Sequence, residues 1–394
     1  MKKSILLGVL LLLAGRLATS QIAPSGKDTT LLGGAGDAAG LAVGKRTGLA
    51  ASKPDQQHAA AALGAVAGVP AFMAAGPAFD ARKVMQGKSI LSIPGPSSDP
   101  WYAHGLMGMR EAAQRVGYPF SVLSNSGKLV EYQQGFAAAL LTKPTLIDLY
   151  AGPDPVALGP QVRAAEAKGI KVAVSHNFGI GEVAPNTDFN LPVDFGRAAR
   201  LMADWVILHD PKAHVLVVVS DELPSTRSMR QSISEEFQQY GGTDIQHRFV
   251  NVPIPQWASG IGPAVQSALS LDPQLTYIIC IYDSMAEHVV PVISAAKAVG
   301  RVHVVGFNGT PHILDLIRSG EVEMSVGEST AWVGYAVADA EMRVIAGQGA
   351  VKSMNVPFRV FTRQNVAEAG IPASFDKGYG DAFRAAYAKL WMLP

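Results

Sequence analysis

From residue 88 onward, two hydrophobic rhythms alternate along the chain. Short runs rich in β-branched residues fall at 89–93, 120–124, 146–150 and 172–175. Between them, apolar residues recur at helical spacing near 103–116, 130–141 and 156–168. A second series follows, with strand-like runs at 214–220, 245–252, 277–281 and 302–307. Its helical stretches lie near 228–240, 260–270 and 284–298. Each unit is about 25–30 residues long, the length of a βα repeat. Runs such as VLVVVS and VHVVGF are apolar throughout rather than alternating, as parallel strands covered on both faces require. The pattern predicts an α/β chain with two doubly wound, Rossmann-like parallel-sheet lobes.

Two β-like runs close the pattern, at 322–326 and 357–361, separated by a helix near 331–346. They give the chain three crossovers between the lobes, a hinge near 190–194, 327–330 and 354–358. The expected first lobe is 87–191 plus 329–356, and the second is 192–328 plus 357–394.

The first 86 residues read differently. MKKSILLGVLLLLAG carries two lysines and then a short apolar run, and Ala18 and Ser20 precede Gln21 as a signal peptidase requires. Residues 1–20 are therefore expected to be a cleaved signal peptide that delivers the chain to the periplasm. The run is too short for a comfortable membrane span, and no cysteine nearby could carry a lipid anchor. Residues 21–86 are rich in Ala and Gly and read as a flexible spacer, with one weak helix near 58–75. GAGDAAG at 34–40 follows no strand and its third glycine is misplaced, so it is no dinucleotide loop.

Composition narrows the function classes. With 394 residues, 48% hydrophobic, the chain can build two cores, and a net charge of +1 leaves no electrostatic footprint for nucleic acid. The one cysteine, Cys280, lies in TYIICIY and reads as a buried thiol. The chain has no G-x-S-x-G elbow, no Walker loop and no metal-ligand spacing among its nine histidines. No catalytic residue, cofactor or metal is expected.

Open parallel sheets bind ligands beyond the carboxyl ends of their strands. There the sequence places Asp99, Trp101 and Tyr102, then His176 and Asn177, then Arg227 and Arg230. Trp257, Tyr282, Asp283, Asn308 and Glu328 follow at the later strand ends. Aromatic plates beside planar hydrogen-bonding groups suit a polyhydroxylated ligand, whose C–H faces stack and whose hydroxyls need fixed partners. Simpler roles compete with this one. Asp99 before Pro100 suits a helix cap, as does Asp283, and the two arginines could form surface ion pairs.

SSDPWY, EFQQYGG, IYDSMAEHVVPVISAAKAVG, VVGFNGTPHILDLIRSGEVEMSVGES and VPFRVFTRQNV together carry a resemblance. Residues 88–362 resemble a periplasmic substrate-binding protein of a sugar ABC transporter, of the ribose-binding type. The resemblance implies a monomer that captures a monosaccharide or sugar alcohol between its lobes and delivers it to a membrane-embedded permease. It places ligand contacts at Asp99, Trp101 and Tyr102, and the family's Asp-Arg pair on His176 and Asn177. The second-lobe arginine falls near Ile233, so Arg227 or Arg230 has to substitute for it. The later contacts fall on Trp257, Tyr282, Asp283, Asn308 and Glu328. The missing Asp-Arg pair and the Asn at 308 argue against ribose itself. Presentation of a sugar to a chemoreceptor or kinase is an alternative, and an exported hydrolase a more remote one.

Overall fold

The computed structural model of the protein describes residues 53–187 and 189–394. The expected signal peptide and residues 21–52 lie outside the described residues. Two short helices, α1 (Gln56–Gly64) and α2 (Ala81–Met85), precede the first strand. The first lobe then runs β1 (Ile90–Ser92), α3 (Pro100–Val116), β2 (Phe120–Val122), α4 (Leu129–Thr142), β3 (Leu146–Tyr150), α5 (Gly159–Glu166), β4 (Lys171–Ser175) and β5 (Phe189–Leu191). These strands form a parallel sheet in the order β2-β1-β3-β4-β5.

The second lobe begins with α6 (Phe195–His209) and β6 (His214–Val219). It continues through α7 (Pro224–Tyr240), β7 (Gln246–Asn251), α8 (Trp257–Leu271), β8 (Leu275–Cys280), α9 (Asp283–Ala295), β9 (His303–Asn308), α10 (Pro311–Ser319) and β10 (Met324–Gly327). The chain returns to the first lobe as α11 (Thr330–Ile345), then adds β11 (Arg359–Thr362) to the second sheet and ends in α12 (Ala382–Leu390). The second sheet has the order β11-β10-β9-β8-β6-β7 and is parallel except for β11. The chain is thus α/β with two parallel-sheet lobes. No helix among the described residues is long and apolar enough to cross a membrane.

Local chemistry fixes the elements that matter most. Asp99 accepts from the Trp101 backbone N–H at 2.8 Å, Pro100 stands at the first helical position, and Gly117 closes α3 with a left-handed φ of 95°. α11 is apolar on nearly every side and is buried along most of its length. It can lie close on α3 because small residues face each other. A Cβ on Gly334 would come 2.4 Å from the Gly105 carbonyl oxygen. Cys280 is buried, and that burial pushes its thiol well up from its ordinary range.

Two expectations need correction. The tail after β11 does not all stay with the second lobe: residues 366–373 still pack on α10, but α12 packs on α11 of the first. Trp391 stacks on Tyr335 at 5.6 Å and donates to Asp339 at 2.8 Å, while Arg384 pairs with Glu111 at 2.9 Å. An amphipathic helix with Phe383 and Tyr387 on one face and Trp391 at its C-cap docks where an apolar surface is open, and α11 offers one.

The part of the Ala/Gly-rich segment that lies within 53–86 is also not a loose spacer. Ala59 and Leu63 of α1 are buried, and α1 packs on α6 and α7. Val360 N–H donates to Val66 O at 2.9 Å, and Phe79 N–H donates to Leu390 O at 3.0 Å. The Arg343 guanidinium lies 4.8 Å from the Phe79 ring centroid. Such a stretch cannot build a core alone, but small side chains let it lie tightly on an existing one. A Cβ on Gly76 would sit 2.5 Å from Arg343 Nη1.

Candidate functional site

The carboxyl ends of both sheets face a cavity of about 180 Å³ between the lobes. Its first-lobe wall starts from Trp101, one residue into α3. Trp101 stacks on Tyr150 at 5.6 Å with planes 13° apart, and meets Tyr102 edge-on at 5.3 Å. Glycines make room for this wall. A Cβ on Gly95 would lie 2.1 Å from the Tyr102 ring, and one on Gly105 would lie 2.1 Å from the Tyr150 hydroxyl. Burial, and then the nearby Asp99 charge, push the Tyr102 phenol well up, so it is neutral at ordinary pH.

The second-lobe wall is Trp257, Tyr282, Leu223 and Ile254. The Trp257 indole donates to Ser220 Oγ at 2.7 Å and to Val252 O at 3.0 Å. The Tyr282 hydroxyl shares a short hydrogen bond with Ser225, and burial holds its pKa up. Phe195, at the start of α6, lines the cavity near the hinge and meets His176 edge-on at 5.2 Å.

At the floor, Glu328 joins the lobes. Both of its carboxylate oxygens lie 3.1 Å from His176 Nε2 of the first lobe. Asn308 of the second lobe donates to the same carboxylate at 3.1 Å. Three non-glycine residues that line the cavity hold positive φ: Ala151 at 43°, His176 at 52° and Asn308 at 122°. Such backbone costs of order 1–3 kcal/mol each and gathers at functional sites.

The structure brings Asp99, Trp101, Tyr102, His176, Asn177, Trp257, Tyr282 and Asn308 to this one cavity. Four other candidates lie elsewhere. Arg227 is exposed, and Arg230 pairs with Asp221 at 2.9 Å and lies over the Phe249 ring. The inward face of α7 carries Ser225, Met229, Ile233 and Glu236, which turns positions 227 and 230 away. Glu328 is fully buried beneath His176 and Asn308 and holds them rather than lining the space. Asp283 is also fully buried. It accepts from Thr310 N–H at 2.8 Å and from Ser325 Oγ at 3.0 Å, so it ties β9 to β10. Burial raises its carboxyl to about 6 despite those donors.

Several lining residues escaped the sequence reading: Pro96, Ala151, Phe195, Leu223, Ser225, Ile254 and Ser284. Ser284 directly follows two named candidates, and Ser225 stands in the first turn of α7, just past the loop after β6, so position alone could have found both. The apolar members carry no chemical signal.

Residues 90–349 match the family described as periplasmic binding protein domain. The chain belongs to the periplasmic binding protein family. A search of curated proteins finds no match. Among solved structures, a solute-binding protein from Agrobacterium vitis bound with alpha-D-tagatopyranose is 18% identical, with 74% of this chain and 100% of that chain covered and a TM-score of 0.64. A periplasmic ribose ABC transporter protein from Conexibacter woesei is 18% identical, covering 75% and 96%, with a TM-score of 0.62. The Caulobacter myo-inositol binding protein, bound to myo-inositol, is 20% identical over 73% and 97%, with a TM-score of 0.60. At such identities these likenesses establish the fold.

The cleft of this family member is poor in charge. Among the described residues no arginine or lysine lines the cavity, and the one carboxylate that does, Asp99, already caps α3. The other polar groups are neutral amides, hydroxyls and indoles, with the His176 imidazole: Asn177, Asn308 and Ser284 stand beside the hydroxyls of Tyr102, Tyr282 and Ser225. Such a set can orient a neutral, hydroxyl-bearing molecule between aromatic plates. It offers no cation to neutralise an anionic one.

Proposed function

We propose that the protein captures a neutral monosaccharide, cyclic polyol or sugar alcohol in its interlobe cleft and, as a periplasmic monomer, delivers it to an ABC permease. The observation that carries this reading is the pair of indoles facing one small cavity, Trp101 from the first lobe and Trp257 from the second. Aromatic faces suit the C–H faces of a sugar ring, and the amide and imidazole groups suit its hydroxyls. The cavity is smaller than the roughly 300–1,000 Å³ of drug-sized sites, which favours a single ring or a short polyol. The tagatopyranose and myo-inositol named with two structural neighbours are ligands of that size and charge.

The work is binding rather than bond-making. A ligand that touches both lobes stabilises the closed arrangement by its differential affinity, and closure is the state a permease can recognise. A thermal-shift screen of the exported chain tests the reading with neutral monosaccharides, inositols and linear polyols, beside sugar acids and sugar phosphates. At about 100-fold over Kd a true ligand adds about 2.7 kcal/mol, a rise of several degrees in melting temperature. A rise with a phosphorylated or acidic compound alone would count against the proposal.

A further inference from the structure

Away from the cleft, α1 lies on α6 and α7, and three metal-ligating side chains meet at that junction. His58 of α1, Asp204 of α6 and Glu236 of α7 each place a donor atom within 4.8 Å of the others. His58 Nε2 lies 2.8 Å from Glu236 Oε1 and 3.8 Å from Asp204 Oδ1. Asp204 and Glu236 are only 2% and 4% exposed. Asp204 Oδ1 is buried and makes no hydrogen bond. Two carboxylates held together out of water need a cation or a shared proton between them. Arg200 is directed elsewhere, with Nη1 3.4 Å from Ser232 Oγ and Nη2 3.8 Å from Asp194. The His58 ring is stacked on Tyr240 at 3.5 Å with planes 7° apart, which fixes its orientation.

We propose that His58, Asp204 and Glu236 bind a divalent cation of the zinc class, which clamps the N-terminal segment onto the second lobe. One imidazole nitrogen and two carboxylate oxygens from three separate elements form the three-ligand set that leaves a fourth position for water. His58 is about one-third exposed, so that position and the entry path face solvent. A calcium ion would need six to eight oxygens, which this junction does not offer. For bonds of about 2.0–2.1 Å in tetrahedral geometry, ligand atoms stand about 3.3 Å apart. The 2.8 Å contact has to open and the 3.8 Å contact to close, both by about half an ångström. The ion would give the unpartnered Asp204 oxygen a partner and place a positive charge directly between the carboxylates, where the Arg200 guanidinium acts on Asp204 only through space. His58 and Glu236 are 178 positions apart, so no local spacing announces the site.

The test uses the whole exported chain, stripped with a chelator and then titrated with Zn²⁺ against a chromogenic zinc indicator. The expected result is one equivalent of Zn²⁺ per chain and a melting temperature raised by Zn²⁺. His58→Ala and Asp204→Asn should each lower the affinity by more than about tenfold and remove the thermal gain. Because His58 sits at the surface, its variant should keep the native circular dichroism spectrum, and Asp204→Asn keeps the side-chain shape. Wild type that takes up no Zn²⁺, or uptake unchanged in His58→Ala, would overturn the proposal. So would an Asp204→Asn variant that melts higher than wild type while Zn²⁺ affects neither, because that marks a proton shared between the carboxylates.

Discussion

On the second-lobe wall of the cleft, the Trp257 indole and the Tyr282 hydroxyl already have partners inside their own lobe. On the first-lobe wall, the Trp101 indole N–H has none, and the Tyr102 hydroxyl reaches Ala151 O only at 3.4 Å. Positive φ is likewise found at Ala151 and His176 of the first lobe, and on the second-lobe side of the cavity only at Asn308. An unpartnered buried donor costs about 1–3 kcal/mol, and strained backbone adds to that cost. The second lobe therefore presents finished, flat plates, while the first lobe carries the unsatisfied and strained groups. Under the proposed function, this contrast would give orientation and specificity to the first lobe and stacking area to the second.

Trp101→Ala strikes that contrast hardest. It removes an indole stacked on Tyr150 and should weaken ligand binding by about 3 kcal/mol, more than 100-fold, at modest cost to the fold. Calorimetric titration beside urea melts separates the two, and an affinity within a few-fold of wild type would break the assignment. Glu328→Gln comes next. It keeps the shape but removes the charge that His176 and Asn308 share, and should lower affinity about tenfold and stability by about 1–3 kcal/mol. A variant with unchanged affinity would mean that the floor needs no clasp. Trp257→Phe should matter least for binding. It keeps an aromatic plate and loses only bonds made within the lobe, so about 1 kcal/mol of stability goes while affinity stays within a few-fold. A loss as large as that of Trp101→Ala would erase the difference between the walls.

Asp283 provides a control that should leave binding untouched. Its carboxyl is raised to about 6 from an ordinary 3.8, so the folded state holds the proton more tightly than the unfolded chain. The stability this contributes is full below about pH 4 and is lost as pH rises through 6. The advantage of wild type over Asp283→Asn should therefore shrink between about pH 4 and 6.5 and stay flat above. Urea midpoints across that range check it, and an advantage that grows with pH would contradict the burial argument.

How much could be read beforehand depends on the range of the interaction. The α/β class was legible because runs such as VLVVVS carry their own two-sided burial. Trp101, Tyr102 and Trp257 were legible as large aromatics at strand ends, where loops are usually polar. Arg227 and Arg230 misled because charge suggested a role that helical phase denies, although the inward spacing of Ser225, Met229 and Ile233 was there to be read. The docking of α12 on α11 and of α1 on α6 and α7 depends on surfaces far away in sequence, so composition made the α1 segment look unattached, and the tail with α12 was assigned to the second lobe with β11. Glu328 could be placed at a strand end, but its burial beneath two residues from opposite lobes is a tertiary fact.

The central claim is that this cleft holds a neutral hydroxylated ligand without a charged anchor. The most direct test is calorimetric titration of the protein with a neutral sugar or polyol from the screen and with its phosphorylated counterpart. The account predicts one-to-one binding of the neutral compound at micromolar Kd or tighter, and a phosphorylated form weaker by about 100-fold or more, because a buried charge would find no partner. Equal affinity for the two, or preference for the phosphorylated one, would contradict it.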